Sequence, residues 1–306
     1  MRDSFVETLF NLAKQDNKIK IVTGDLGFGV LKPFYNDLQS CFINAGIAEQ
    51  NMTSFAAGLA MEGLRPVTYS IGNFPTLRCL EQIRNDVCYP NVDLKIVCVG
   101  AGYTYGALGV SHHATEDIGI MRTLPNLTIL SPCDKNEAIS CTNYMMKLRT
   151  PCYLRLGRNG SSSYTNKSVE KMDPSINKIL DGKDLCLFAT GEIIGEALDA
   201  AEKLKKNSGI NITVCSCPIL KPFPIEKFNK IVSDGGYSEL IVLEEHSVIN
   251  GLSSIIDECF SSSKEKPIIH KFGIKDMYCS DVGSQRDRLL RCAFSLDTRR
   301  PFSEYL

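Results

Sequence analysis

Short apolar runs alternate with segments of helical periodicity through the first half of the chain. The predicted strands are 19–24, 65–70, 94–100, 127–132 and 151–157. The predicted helices are 49–62, 76–89, 114–124 and 134–149. In the last of these, Asp134 is the expected N-cap and Glu137 stands at the capping-box position. Strands this apolar, alternating with helices, are typical of a mostly parallel sheet covered on both faces.

A polar segment then interrupts this pattern, and a second alternating pattern follows it. Residues 158–178 are rich in Ser, Asn and Lys and have no hydrophobic period, which predicts a linker. The later strands are predicted at 185–190, 211–217, 239–244 and near 267–272. Helices are predicted at 192–207, 225–233, near 249–260 and near 284–293, and a Pro-rich turn at 218–224. The sequence therefore predicts two doubly wound α/β domains, 1–160 and 181–306, joined by linker 161–180.

Composition and charge exclude several classes of protein. The formal net charge is -1, so electrostatics gives no reason to expect nucleic acid or an anionic membrane surface as a partner. No apolar run has the length of a membrane helix, and the N-terminal segment lacks the apolar stretch of a signal peptide. The 13 cysteines include no CxxC pair, and several, such as Cys98 and Cys186, lie in apolar runs. We expect a cytoplasmic protein with buried, reduced thiols and no metal site of its own.

The stretch "INAGIAEQNMTSFAAGLAMEG" contains the first candidate for chemistry, Glu49. This carboxylate stands at the start of the predicted helix, after Gly46 and Ala48. One interpretation is a surface glutamate in the first turn, which the helix dipole favours. The other is a partly buried carboxylate that can hold or share a proton. The small neighbours would let a large, flat group approach it closely.

Further candidates follow the predicted strands. The glycines of "GDLGFG" (24–29) match neither the dinucleotide nor the P-loop spacing, which favours a turn. "GVSHHATED" (109–117) is either a helix entry or a ligand loop at the carboxyl edge of the sheet. Its adjacent histidines cannot both face one site.

Two further strand ends bring charged side chains together. Arg158 in "YLRLGRNG" would either form a surface salt bridge or clamp a phosphate or carboxylate, and Arg155 lies just before it. Glu244, Glu245 and His246 follow another strand and give weak support to a paired-carboxylate hydrolase.

Several segments, taken together and in order, resemble the C-terminal half of a transketolase. They are "GIAEQNMTSFAAGLA", "LEQIRNDVCYPNVDLKIV", "GVSHHATEDIGIMRTLPNLTILSP", "YLRLGR", "LFATGEIIGEALDAA", "ILKPF" and "VLEEHSVINGLSS". "GIAEQ" also resembles deoxyxylulose-phosphate synthase, which has the same domains. The chain is similar to the subunit of a split transketolase that carries the pyrimidine-binding and C-terminal domains.

The resemblance implies a role for particular residues. Glu49 matches the glutamate that hydrogen-bonds the aminopyrimidine ring of thiamine diphosphate and so helps to activate that cofactor. Phe74 resembles the aromatic residue that stacks on this ring, and Arg78 and Asp25 match positions of the cofactor site. His112 matches a catalytic histidine near the reacting carbon of the substrate. Arg158 matches the arginine that binds the sugar phosphate.

Two positions depart from the family pattern. Common transketolases have a histidine and an aspartate that contact substrate where this chain has Gly100 and Leu108. A site built to pair a hydroxyl group discriminates strongly, and loss of its polar groups changes which substrate fits. The resemblance therefore predicts a modified sugar as substrate rather than the usual pentose phosphates.

One family motif is missing. The magnesium–diphosphate motif of the family begins with "GDG", which occurs nowhere in this sequence. The resemblance thus implies an obligate partner chain that binds the diphosphate and Mg²⁺, in an α2β2 assembly. The implied activity is transfer of a two-carbon ketol unit from a ketose to an aldose. The alternatives are a decarboxylating relative, of the deoxyxylulose-phosphate synthase or 2-oxo-acid dehydrogenase β-chain type, and a non-catalytic subunit that keeps the fold.

Overall fold

The computed structural model describes residues 1–158, 163–165, 175–263, 265–280 and 282–289. The strands are β1 (Ile19–Thr23), β2 (Phe42–Asn44), β3 (Arg65–Ile71), β4 (Lys95–Val99), β5 (Thr128–Leu130), β6 (Cys152–Leu156), β7 (Asn177–Leu180), β8 (Leu185–Thr190), β9 (Ile212–Ser216), β10 (Ile219–Lys221), β11 (Glu239–Ser247) and β12 (Ile268–Ile274). The helices are α1 (Arg2–Gln15), α2 (Lys32–Asp37), α3 (Glu49–Met61), α4 (Leu80–Gln82), α5 (Asp117–Arg122), α6 (Lys135–Lys147), α7 (Ile194–Ser208), α8 (Ile225–Gly235), α9 (Leu252–Cys259) and α10 (Gln285–Arg288).

The strands form two sheets. The first has the order β10-β5-β6-β4-β3-β1-β2 and the second the order β12-β11-β8-β9-β7. All neighbouring strands are parallel except β10 on β5 and β7 on β9. A buried apolar cluster contains side chains of both sheets, such as Ile96 and Phe188. The predicted α/β class, with two mostly parallel sheets flanked by helices, is confirmed.

The edge strands were the hardest elements to predict. β2, β7 and β10 are short, and the sequence pattern assigned them to loops, the linker or the Pro-rich turn. β10 pairs Ile219 with Leu130, so a segment that follows β9 completes the first sheet. Its strand ends at Lys221 because Pro222 has no N–H to continue a ladder. Helices α1 and α2 were also missed.

The domain limits stay a prediction, because most of linker 161–180 lies outside the described residues. Residues 290–293 of the predicted C-terminal helix also lie outside them. In the described part, this helix begins with α10, where the Ser284 hydroxyl accepts a hydrogen bond from the Asp287 N–H.

The predicted helix at 76–89 is helical but irregular. A 3-10 turn at Leu77–Cys79 leads into α4, and a π-helix covers Ile83–Cys88. The wider π turn still buries Ile83, Val87 and Cys88 against the sheet.

Asp134 caps α6 as predicted, since its Oδ1 accepts a hydrogen bond from the Glu137 N–H at 2.8 Å. The reciprocal bond differs from the predicted capping box. Glu137 Oε2 accepts from the N–H of Cys133, one residue before the cap. Burial raises the pKa of this glutamate.

Most cysteines described by the structure match the prediction of buried thiols. The free cysteines are Cys41, Cys79, Cys88, Cys98, Cys133, Cys141, Cys152, Cys186, Cys215, Cys217 and Cys259, and all but Cys259 are fully buried. The prediction is wrong for Cys279, which is disulfide-bonded. Within the described ranges, no helix is both long and apolar enough to cross a membrane.

Candidate active site

The first sheet brings its strand ends, and the residues that follow them, to one edge. Five parallel strands, β1, β2, β3, β4 and β6, are adjacent in this sheet, so their carboxyl ends lie side by side. The segments after them carry all the residues predicted for the site, namely Asp25, Glu49, Phe74, Arg78, His112 and Arg158. This edge is where open α/β sheets bind ligands.

Glu49 is the first residue of α3 and is 4% exposed. This burial excludes the interpretation of Glu49 as a surface residue. Arg78 Nη1 donates a hydrogen bond to Glu49 Oε2 at 2.9 Å. Within the described residues, no donor reaches the other oxygen, Oε1. Gly24 lies against the Glu49 stem, since a Cβ at Gly24 would be 3.7 Å from Glu49 Cγ.

Hydrogen bonds of the Asn44 side chain hold the segment that leads into α3. Asn44 Nδ2 donates to Asp25 Oδ1 at 2.9 Å, and its Oδ1 accepts from the backbone N–H groups of Asp25 and Gly46, each at 3.0 Å. Asp25 has a φ of 55°, a left-handed conformation that aspartate tolerates better than most residues. Sequence reasoning missed Asn44, although an asparagine directly after an apolar run is a turn signal.

Phe74 lies between two other predicted residues. The Arg78 guanidinium lies 4.3 Å from the centroid of the Phe74 ring, and the His112 ring contacts the same ring edge-on at 5.2 Å. The loop of His112 approaches β3 closely, because a Cβ at Gly72 would be only 2.9 Å from the His112 carbonyl oxygen. Glycine is therefore required at position 72 for His112 to reach Phe74.

Tyr105 connects His112 to Arg158. Its ring centroid lies 6.3 Å from that of His112, and the Arg158 guanidinium lies 5.5 Å from it. Burial raises the pKa of the Tyr105 hydroxyl, partly offset by Arg158. A Cβ at Gly100 would be 2.4 Å from the Tyr105 ring, so the aromatic ring fills the space of a side chain at position 100. Sequence reasoning missed Tyr105, whose only signal is its place in a Gly-flanked loop.

A cleft of about 1180 Å³ opens beside this row of contacts. Basic side chains from three separate segments reach it, namely Arg2, Lys32 and Arg158. Aromatic and aliphatic side chains form much of the rest, including Phe28, Tyr105 and Leu108. Glu49 and Phe74 do not line this cleft, but the contacts Glu49–Arg78–Phe74–His112–Tyr105–Arg158 link the carboxylate to it. Asp3 and Glu7 also line the cleft, and Asp3 pairs with Arg2 at 2.9 Å, so Lys32 and Arg158 are the basic groups that suit an anionic end of a ligand.

The two adjacent histidines point apart, as the sequence required. His112 faces Phe74, whereas His113 is 2% exposed and packs edge-on against Tyr103 at 4.9 Å. Burial lowers the pKa of His113. His113 is therefore part of the support beneath the loop.

Three charged residues considered as site candidates lie elsewhere. Arg155 is buried and donates to Asp117 at 2.8 Å, so it is neither a ligand clamp nor a surface bridge. Glu244 accepts hydrogen bonds from Leu252 and Ser253 at the start of α9, and His246 Nε2 accepts from Gly119. Arg155, Glu244 and His246 thus form hydrogen bonds within the protein and have structural roles.

Glu245 faces away from Glu244. Its carboxylate accepts a hydrogen bond from the backbone N–H of Tyr103, at the other side of the strand end. The two carboxylates therefore do not converge on one site, and the structure gives no support to a paired-carboxylate hydrolase.

Comparisons with known proteins identify the same two parts of the chain. The sequence profile of the family "Transketolase, pyrimidine binding domain" matches residues 1–161. The profile "Transketolase, C-terminal domain" matches residues 175–288. The chain is 35% identical to one subunit of the apulose-4-phosphate transketolase of Phocaeicola vulgatus, over 90% of its own length and 87% of that protein.

A more distant relative and a solved structure agree with these matches. The chain is 29% identical to a 1-deoxy-D-xylulose-5-phosphate synthase of Clostridium perfringens, over 79% of its length and 39% of that protein. Among solved structures, a split-gene transketolase described as an inactive β4 tetramer superposes with a TM-score of 0.81. That alignment has 31% identity and covers 90% of this chain and 89% of the other.

Proposed function

Because the chain belongs to the transketolase family, we propose that it is the pyrimidine-domain subunit of a cytoplasmic, thiamine-diphosphate-dependent enzyme. The enzyme transfers a two-carbon ketol unit from a ketose to an aldose, and a separate chain binds the diphosphate. The observation that carries this proposal is the buried Glu49 carboxylate, which has one oxygen held by Arg78. The same arginine lies over the Phe74 ring.

The residues around Glu49 suit the pyrimidine end of thiamine diphosphate. Glu49 Oε1 accepts no hydrogen bond from the described part of the chain, so it is free to accept one from a ligand. A ring N–H would donate that hydrogen bond. Arg78 keeps Oε2, so Glu49 can bind a ring without breaking its ion pair. Phe74 offers an aromatic surface on which a flat ring can stack.

The cofactor, when bound, supplies the chemistry that breaks and forms carbon–carbon bonds. The role of this chain is to hold and move a proton. Glu49 would share its proton with the ring nitrogen, and the burial of Glu49 would limit the access of water to that proton. Asn44 accepts a hydrogen bond from the Gly46 N–H and so holds the segment that leads into α3 and Glu49.

The cleft beside Arg158 would bind the sugar. His112 stands between Phe74 and the cleft, where a hydrogen bond to the oxygen atoms near the reacting carbon is possible. Arg158, with Lys32, would bind a phosphate at the far end. Tyr105 and Leu108 form an apolar wall between these ends, which favours a modified sugar over one with a hydroxyl at every carbon. The name of the Phocaeicola relative, which specifies a phosphorylated sugar, is consistent with this choice.

A partner chain is part of the proposal. Large apolar side chains are exposed just before α3 and along it, including Ile47 at 78%, Phe55 at 44% and Met61 at 59%. An apolar surface next to a functional residue is typical of a protein interface. The partner would hold the diphosphate and most of the Mg²⁺ coordination, in an α2β2 assembly. The similar split-gene chain, described as an inactive β4 tetramer, supports the need for a second chain.

The proposal is tested by calorimetric titration of thiamine diphosphate with Mg²⁺. The chain is titrated alone and then mixed with a candidate diphosphate-binding chain. We expect binding only in the mixture. Tight binding by the chain alone would overturn the two-chain proposal. Turnover is then assayed with a ketose and an aldose, and with a 2-oxo acid as donor. Release of CO₂ from the 2-oxo acid, without ketol transfer, would favour the decarboxylating alternative.

A further inference from the structure

The loop at residues 101–113, between β4 and α5, carries Tyr105 and Leu108 to the cleft and places the His112 ring beside that of Tyr105. Two backbone hydrogen bonds between Gly102 and Ala114, of 2.9 and 3.0 Å, close the base of this loop. A short bridge of this kind fixes the ends of a loop but leaves its interior to other contacts. The position of the 101–113 loop therefore depends on what packs beneath it.

A carboxylate of the second sheet lies beneath the loop. Glu245, at the end of β11, is 4% exposed, and its Oε1 accepts a hydrogen bond from the Tyr103 N–H at 2.7 Å. The loop backbone lies flat against this side chain, because a Cβ at Gly102 would be 2.3 Å from Glu245 Cγ. Gly102 has a φ of 57°, so both the conformation and the close approach require glycine there.

The C-terminal segment completes this support. Gln285 Nε2 donates to both Glu245 oxygens, at 3.1 and 2.8 Å. Further along the loop, a Cβ at Gly106 would be 2.8 Å from the Gly283 carbonyl oxygen and 3.3 Å from Arg288 Cγ. The second domain therefore contacts the 101–113 loop at two places, and among the described residues Glu245 is the ionisable side chain that accepts a hydrogen bond from the loop backbone there.

We propose that Glu245 is a positioning residue, whose carboxyl group is held by Gln285 and in turn holds the loop backbone at Tyr103, so that Tyr105 stands at the cleft and His112 stands next to Tyr105. The proposal gives the second domain a part in substrate binding. Its role in turnover rests on the proposed function, whereas its effect on the loop does not.

Glu244 provides a matched control. It precedes Glu245 on β11, is fully buried and accepts two backbone hydrogen bonds, from Leu252 and Ser253. Those bonds cap α9 and do not involve the loop. Glu244→Ala and Glu245→Ala thus each remove a buried carboxylate with two donors, and only the second removes the contact to Tyr103.

The first measurement is hydrogen exchange by mass spectrometry on the full chain. Removing this buried hydrogen-bond acceptor should speed exchange in residues 101–106 by about tenfold in Glu245→Ala. Glu244→Ala should leave these residues unchanged and speed exchange in α9. Glu245→Gln should restore protection, because its amide oxygen still accepts from Tyr103 and Gln285 can turn its amide to match. Equal exchange in the loop for both alanine variants would overturn the proposal.

The second measurement uses the assembled enzyme with its partner chain. In Glu245→Ala, KM for the sugar should rise by about tenfold, which corresponds to the loss of one buried hydrogen bond. The Kd for thiamine diphosphate should stay unchanged. Glu244→Ala should alter neither constant, and Glu245→Gln should restore KM. Turnover with an unchanged KM in Glu245→Ala overturns the positioning role. If the loop exchanges faster in Glu245→Ala but the wild-type enzyme shows no turnover, the contact between Glu245 and the loop is supported and the proposed function is contradicted.

Discussion

Arg78 and Glu49 form an ion pair in which one partner is buried and the other is half exposed. Arg78 Nη1 lies 2.9 Å from Glu49 Oε2, and the side chains are 47% and 5% exposed, respectively. The pair leaves Glu49 Oε1 without a donor from the described residues, while the same guanidinium covers part of the Phe74 ring. One arginine thus sets the orientation of the carboxylate and of the aromatic ring that we assign to the cofactor.

Replacing Arg78 should weaken cofactor binding. In Arg78→Ala, the Glu49 carboxylate loses its fixed orientation, and we expect thiamine diphosphate to bind the two-chain mixture about tenfold more weakly. Calorimetry measures this Kd. Arg84→Ala is the control, because Arg84 lies on the same helical segment, is exposed, and its side chain forms a hydrogen bond to its neighbour Asn85, away from Glu49. An equal loss in both variants would show that Arg78 has no specific role.

Replacing Glu49 should abolish most turnover without preventing assembly. Glu49→Gln keeps the size of the side chain but cannot hold a proton, and such a loss typically lowers kcat by about 10² to 10⁴. Steady-state kinetics gives kcat, and size-exclusion chromatography reports assembly with the partner. Glu62→Gln, at the exposed C-terminal end of the same helix, should change neither. Full turnover by Glu49→Gln would favour the non-catalytic subunit.

A side chain at position 100 should displace Tyr105 from the cleft. In Gly100→Ala, the new Cβ would lie 2.4 Å from the Tyr105 ring, and we expect KM for the sugar to rise by about tenfold or more. Gly109→Ala separates this clash from backbone strain. Gly109 also has a positive φ, of 81°, but has open space around its Cβ position. If the clash is the cause, Gly100→Ala should have little further effect in a Tyr105→Ala background.

Glu245 should make the stability of the chain depend on pH. Burial raises the pKa of Glu245 from 4.5 to about 7, and the nearby charge of Glu192 raises it slightly further. The hydrogen bonds from Tyr103 and Gln285 and the charge of Arg155 lower this pKa and so offset part of the increase. The folded state therefore keeps this proton up to about pH 7, whereas the unfolded state loses it near 4.5. The stabilisation is complete below the unfolded pKa and is lost as pH rises through the folded pKa.

Denaturant unfolding of wild type and Glu245→Gln at pH 5.5 and 7.5 measures this effect. Between these values, wild type should lose about 2 kcal/mol more of its free energy of unfolding than the glutamine variant, which has no proton to lose at this site. The comparison cancels the other titrating groups, including the buried Glu244 and Glu137. Parallel pH profiles for the two proteins would contradict the assignment of a raised pKa to Glu245.

The spacing of hydrophobic residues and the polar residues at strand ends were sufficient to predict much of the fold and the edge of the sheet where the site would lie. The apolar runs of β1, β3, β4 and β6 are buried on both faces, so their hydrophobic signal is continuous and clear. The short edge strands β2, β7 and β10 lack this signal, because they depend on pairing with a neighbour rather than on their own composition. The family resemblance named the site residues, whose roles remain predictions.

The sequence by itself determined the α/β class, the parallel sheets and the segments that end at the site, because these follow from local periodicity and turn chemistry. Only the tertiary structure decided that Arg78 pairs with Glu49, that Tyr105 fills the space above Gly100, and that Glu245 supports the 101–113 loop. Each of these contacts joins residues that local periodicity does not relate. Their pairing depends on how the sheets and loops pack, which no local pattern encodes.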